Sequence, residues 1–165
     1  MASSELTKKQ KIRFIVVMTI FAVGVITTYR ENVLAVVLTP LTAYTAQLTL
    51  YLLHLFGMEA TRAAASIYHP SGFAYEIYYR CLGFLFVIIF TAAVLSYPRS
   101  IRKKVYGIVL GVPVLLMLNF IRLVTLFYVG VHHPVAFDFV HTFFWNIILF
   151  IVTIGLWLGW LRSRW

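Results

Sequence analysis

Long apolar runs separated by short polar or basic segments dominate the sequence. A helix needs about 20 mainly apolar residues to cross the hydrocarbon core of a bilayer. By this measure, spanning helices are predicted over 14–29, 81–97, 105–131 and 142–161. The pattern therefore predicts an all-α polytopic membrane protein with about four transmembrane helices, forming one domain over 1–165.

Residues 33–57 are also long enough to span, but this segment carries polar side chains at helical spacing. Thr42, Thr45 and Thr49 fall on one stripe of the predicted helix. A helix with one polar stripe and one apolar face is amphipathic, and such helices often lie in the membrane interface. The composition of 33–57 alone leaves both placements open.

The parity of membrane crossings favours the interfacial placement. If the basic N-terminus and the basic loop 98–104 share one side of the membrane, the chain between them crosses an even number of times. The spans 14–29 and 81–97 already supply two crossings. We therefore expect 33–57 to lie along the outer surface, or to dip in and return.

The segment 58–80 is more polar and is predicted to form an external loop. Pro70, Ser71 and Gly72 mark a turn. Apolar positions alternate around that turn, which predicts a short hairpin.

Composition and charge agree with this topology. The chain is 62% hydrophobic and 12% charged, with a net charge of +9. A soluble domain of this size cannot bury so much apolar surface, so lipid must cover part of it. The basic residues form short clusters within 8–13, 99–104 and 162–164 rather than one continuous face. This distribution marks cytoplasmic flanks of membrane helices and argues against nucleic acid as a partner.

The topology brings four residues from three separate helices towards the outer leaflet. Cys81 lies where the chain enters the membrane from outside, and His141 lies at the outer start of the last helix. Asn119 and Arg122 are three residues apart in the outward half of the intervening helix, and hence share a face.

Arg122 is the most informative of the four, because an arginine inside an apolar run costs about 2.5 kcal/mol or more at the bilayer centre. Such residues usually mark a functional site. The structural alternatives are that Arg122 extends to the outer headgroups or pairs with Asp138.

Cys81 is the only cysteine, which excludes an internal disulfide. A free cysteine is often a small core residue, but this one follows Arg80 and lies within reach of a second cation. Nearby cations lower the pKa of a thiol and favour the nucleophilic thiolate. A neutral His141 would accept the thiol proton and return it to a leaving amine.

His132, His133 and Asp138 offer a weaker alternative, in which they bind a metal or haem together with His141. Their spacing matches no established zinc signature. We therefore predict no metal and no cofactor.

The arrangement resembles the exosortase and archaeosortase family over roughly the last two thirds of the chain. Its members carry a C-x-G motif, an N-x-x-R motif and a histidine on successive membrane helices. Here these positions are Cys81, Asn119 with Arg122, and His141. The length resembles that of the short exosortase H subgroup, and Leu82 stands where many members have a serine.

The resemblance implies a membrane-embedded cysteine protease or transpeptidase in a bacterial inner membrane, with its site on the periplasmic side. Its partners would be exported proteins with a C-terminal sorting signal, made of a short motif, a transmembrane helix and a basic tail. Cys81 would be the nucleophile, His141 the acid and base, Arg122 the stabiliser of negative charge and Asn119 a supporting residue. The alternative is a small non-catalytic membrane subunit, or a transporter-like protein that binds an anion with Asn119 and Arg122.

Overall fold

A computed structural model describes residues 12, 15–16, 18–20, 23 and 33–163. The predicted first span, 14–29, falls mainly on residues outside this set. The described part contains four main helices and a small sheet. They are α1 (Val33–Leu55), β1 (Thr61–Ala63), β2 (Ser66–Tyr68), β3 (Ala74–Glu76), α2 (Phe84–Ser96), α3 (Ile101–His132) and α4 (Trp145–Arg162).

Two helical stretches in the described part are long and apolar enough to cross a membrane, Ile101–His132 and Pro134–Arg162. They cover the predicted spans 105–131 and 142–161. The predicted span 81–97 corresponds to α2, a shorter apolar helix of 13 residues. This helix begins at Phe84 because Gly83, with a φ of 74°, interrupts the helical backbone after Cys81.

The polar stripe of α1 faces the protein. Buried positions follow one helical face, namely Leu38, Thr42, Ala46, Thr49 and Leu53. The threonine hydroxyls on this face donate to carbonyls one turn earlier, so their burial leaves no unsatisfied group. The opposite face is exposed and apolar, with Leu41, Tyr44, Leu48, Tyr51 and Leu55. The predicted amphipathic character is therefore present, with Thr42 and Thr49 on the buried face and apolar side chains on the exposed face.

The segment between α1 and α2 forms a three-stranded antiparallel meander in the order β1-β2-β3. The predicted hairpin around Pro70 is present as β2 and β3, and β1 adds a strand that the sequence pattern did not predict. Ile67 on β2 is fully buried in the cluster that also contains residues of α1 and α3. Phe73 packs against Gly130 of α3, where a Cβ atom would lie 2.0 Å from the ring. The sheet is therefore fixed against α1 and α3. These contacts hold the segment that leads from the sheet to Cys81.

A second apolar cluster holds α2, α3 and α4 together at the opposite end of the bundle, around Phe90 and Trp160. The Phe90 ring lies directly over Gly111 of α3, where a Cβ atom would come within 2.3 Å. The indole of Trp160 donates a hydrogen bond of 2.8 Å to the carbonyl of Lys103. The start of α3 and the end of α4 therefore lie at the same level.

This close packing predicts different outcomes for two glycine substitutions. We expect Gly111→Ala to lower the free energy of unfolding by about 1–3 kcal/mol, because the new methyl group overlaps the Phe90 ring. Gly155→Ala is the matched control, since a Cβ atom there meets nothing within 4 Å and alanine favours a helix. Thermal unfolding of both variants in the same detergent checks the difference. Equal midpoints would contradict the packing described for α2 and α3.

Candidate active site

Cys81 lies in a short 3-10 turn, Tyr79–Leu82, between the sheet and α2. The backbone N–H of Cys81 donates to the carbonyl of Tyr78 over 2.8 Å. Gly83 then adopts a left-handed conformation, which costs a residue with a side chain about 1 kcal/mol or more. The turn thus holds the thiol just outside the first residue of the membrane-facing helix.

Asn119 of α3 joins this turn to the neighbouring helix. Its side-chain N–H group donates to the carbonyl of Cys81 over 3.0 Å, in a fully buried position. Its Cγ atom would lie 2.7 Å from a Cβ atom on residue 83. Gly83 is therefore needed twice, for its backbone conformation and for the approach of Asn119.

His141 approaches Cys81 from a different element, a π-helical turn over Val140–Phe144 that precedes α4. In this turn the N–H of Trp145 donates to the carbonyl of Val140, five residues earlier. Turns of this type are rare and occur frequently at functional sites. The Nε2 atom of His141 lies 4.0 Å from the Sγ atom of Cys81.

A cavity of about 570 Å³ contains the thiol, the imidazole and the guanidinium of Arg122 together. Arg122 is only 5% exposed, and Cys81 is 8% exposed. The wall also includes Arg80, so the cavity is rich in positive charge. Of the four predicted site residues, Cys81, Arg122 and His141 line this cavity, whereas Asn119 reaches the backbone of Cys81 from outside it.

The electrostatics of Cys81 differ from the expectation of a lowered pKa. Burial raises the pKa of the Cys81 thiol above its ordinary value, although the nearby Arg122 guanidinium and a hydrogen bond with the Tyr78 backbone oppose that rise. Desolvation of a thiolate is therefore the dominant effect. The resting thiol stays protonated at neutral pH, and a base must remove its proton before it acts as a nucleophile.

Three polar residues in or near the cavity did not emerge from the sequence: Thr142 and Asn146 line it, whereas Tyr75 interacts with Cys81 without lining it. Tyr75 of β3 donates its hydroxyl to the carbonyl of Leu123 over 3.1 Å. Burial, followed by the charge of Cys81, raises the pKa of the Tyr75 phenol, so this group remains a donor. Thr142 and Asn146 line the cavity beside His141. Asn146 follows His141 by the π-helical period of five residues, a relation that only the observed turn makes visible.

Within the described residues, no group of three or more histidine, cysteine, aspartate or glutamate side chains converges on a common point. His132 and His133 are exposed at the end of α3, and His132 packs against the ring of Tyr128 at 4.4 Å. The alternative of a metal or haem site therefore gains no support from the arrangement of these histidines.

Gly83 offers a direct test of the contact with Asn119. We expect Gly83→Ala to destabilise the protein more than Gly57→Ala, because Gly57 has the same φ of 74° but open space around it. The Gly57 variant measures the backbone strain, about 1–2 kcal/mol. The additional loss at Gly83 measures displacement of Asn119, and thermal unfolding in detergent reports both. Equal losses would show that Asn119 and the turn pack independently.

The reactivity of the single thiol tests the electrostatics. We expect alkylation of Cys81 by iodoacetamide to rise with pH, with a midpoint above that of a free thiol, because burial opposes the thiolate. In Arg122→Ala the midpoint should rise further, since a cation that favours the thiolate is removed. Intact-protein mass spectrometry follows the reaction, and Arg122→Lys should restore part of the effect by keeping the charge. A midpoint below that of a free thiol in the wild-type chain would contradict this assignment.

Comparison with known proteins identifies the family to which the chain belongs. No curated protein and no solved structure matches the chain. The family model described as transmembrane exosortase matches residues 7–159, which is nearly the whole sequence. The family is membrane-embedded, in accord with the apolar helices described above. The chain therefore belongs to the transmembrane exosortase family.

Proposed function

We propose that this protein is a membrane-embedded cysteine transpeptidase or peptidase that cleaves C-terminal sorting signals of exported proteins. The observation that carries the proposal is the distance of 4.0 Å between the Cys81 thiol and the His141 imidazole, inside a cavity that also contains Arg122. A thiol, a base and a buried cation are the groups that acyl transfer requires.

The reaction begins with proton transfer from the Cys81 thiol to Nε2 of His141. The thiolate attacks the carbonyl carbon of the scissile peptide bond, and a C–S bond forms. Arg122 stabilises the negative charge that develops on the carbonyl oxygen, an interaction strengthened by its burial. The imidazolium of His141 then donates its proton to the departing amine as the C–N bond breaks. Water or an amine finally attacks the thioester and releases Cys81.

The raised pKa of Cys81 assigns His141 an essential part in this sequence. A permanently ionised thiol would attack without help, whereas a buried protonated thiol needs a base within reach. Asn119 acts as a positioning residue, because its hydrogen bond to the Cys81 carbonyl holds the turn and not the reacting atoms.

The dimensions of the membrane support the proposed substrate and orientation. Along α3, Lys103 and Arg122 are roughly 19 residues apart, which corresponds to a rise of about 29 Å. This distance is close to the thickness of the hydrocarbon core. With the basic clusters in the cytoplasm, the cavity lies at the periplasmic surface of a bacterial inner membrane. A substrate helix with a basic tail would span the same bilayer and present its preceding motif at the depth of Cys81.

Processing in cells tests the proposal. The substrates are exported proteins from the source genome that end in a shared motif, an apolar helix and a basic tail, expressed with each variant. We expect Cys81→Ala to reduce cleavage by about a thousandfold or more, and His141→Ala by about a hundredfold or more. Immunoblotting of the substrate and of the membrane fraction measures cleavage and protein level together.

Two further variants separate this activity from its alternative. His133→Ala is the control for His141→Ala, because His133 is exposed and does not line the cavity. A non-catalytic anion-binding protein predicts that Cys81→Ser is harmless while Arg122→Ala is not. Full processing by Cys81→Ser would therefore overturn the proposed mechanism. Recovery of a substrate fragment bound to Cys81 through a hydroxylamine-sensitive bond would support it directly.

A further inference from the structure

A second cavity lies at the far end of the bundle from Cys81, in an open groove between α3 and α4. Its volume is about 830 Å³, and its walls are almost entirely apolar. Tyr106, Leu110 and Val114 form one wall at successive turns of α3, and each is exposed. Gly155 and Gly159 form the other wall on α4, with open space where a side chain would extend. The groove is therefore a furrow in the apolar surface of the protein.

Two cations close one end of the groove. Lys103 lies one turn before Tyr106 on α3, and Arg162 is the last residue of α4. The hydrogen bond from the Trp160 indole to the Lys103 carbonyl places these two positions at one level. Across residues 33–163, neither of the two side chains has a hydrogen bond or ion pair. The basic neighbours Arg99 and Lys104 instead donate to backbone carbonyls near the helix ends.

The length of the groove matches one leaflet of a bilayer. From Lys103 to Val114, α3 rises about 16 Å. The hydrocarbon core is about 30 Å thick, so one leaflet accounts for about 15 Å. A partner helix that crosses the membrane would need a groove of about twice this length, whereas a lipid acyl chain needs only this much.

The charge at the end of the groove selects among occupants. A sorting-signal helix with a basic tail would bring like charges against Lys103 and Arg162. A second copy packed in parallel on this face would do the same with its own two cations. An anionic headgroup is attracted to both side chains, and basic pockets between membrane helices on the cytoplasmic side bind such lipids.

We propose that the groove between α3 and α4 is a binding site for an anionic phospholipid, with an acyl chain along the two glycines and the phosphate between Lys103 and Arg162. This inference does not depend on the proposed activity, because the site is at the opposite end of the helices from Cys81. The lipid would fill the furrow between α3 and α4 and couple that face to the inner leaflet.

Native mass spectrometry of the full chain in detergent tests the proposal, with phosphatidylglycerol and phosphatidylcholine of identical acyl chains as probes. We expect phosphatidylglycerol to bind at least tenfold more tightly. The double variant Lys103→Gln with Arg162→Gln should lose roughly twenty-five-fold in affinity for phosphatidylglycerol, because each cation contributes a factor of about five. Arg102→Gln is the matched control, because this exposed arginine does not line the groove and should bind as the wild type does.

Gly155→Leu provides a second test that leaves the charges in place. Leucine at this position extends into the open groove without meeting the core, so the protein should fold while the acyl chain is displaced. Equal binding of both lipids to the wild type, or unchanged phosphatidylglycerol binding by Gly155→Leu or by the double variant, would overturn the proposal. A dimeric wild type that Gly155→Leu converts to a monomer would also overturn it, since the groove would then be a helix interface.

Discussion

The hydrogen bond from Asn119 to the carbonyl of Cys81 is the constraint on which the geometry of the cavity depends. It fixes the turn that carries the thiol to the helix that carries Arg122. The bond forms only because residue 83 lacks a side chain, which lets the amide reach the backbone. The C-x-G and N-x-x-R motifs thus form one contact between the turn and α3. The distance between thiol and guanidinium depends on that contact and not on the membrane helices alone.

Desolvation determines the protonation state of the Cys81 thiol in the cavity. At Cys81 the effect of burial, which raises the pKa of the thiol, outweighs the effect of the Arg122 charge, which lowers it. The thiol therefore keeps its proton until a base removes it. An exposed thiolate in the same place would react with any electrophile at the membrane surface. In the proposed reaction, the buried Arg122 would stabilise the negative charge that develops during acyl transfer.

The sequence predicted the features that depend on hydropathy and charge. Membrane parity and the basic clusters placed Cys81, Arg122 and His141 at one end of the bundle, and the structure brings their side chains into one cavity. The hydrogen bond from Asn119 to the Cys81 carbonyl was not predictable. Residue spacing shows which face of a helix carries a side chain, but not which group of a neighbouring element lies opposite. The pKa of Cys81 was misjudged for the same reason, since neighbouring cations are visible in the sequence and burial is not.

Helix α1 shows a second limit of pattern analysis. Thr42 and Thr49 belong to the polar stripe from which an amphipathic helix was predicted, yet their hydroxyls donate to carbonyls of their own helix and both residues are buried. The placement of 33–57 along the outer membrane surface stays a prediction. The strand β1 was missed because three residues between turns carry too little alternation to stand out.

The π-helical turn before α4 makes the position of His141 depend on the number of residues in the chain. One residue corresponds to about 100° of rotation around a helix axis. Removing a single residue between His141 and Trp145 would restore a regular helix and turn the imidazole away from the thiol, with the hydropathy profile almost unchanged. Insertions and deletions are therefore far less tolerable in these five residues than exchanges of one apolar side chain for another.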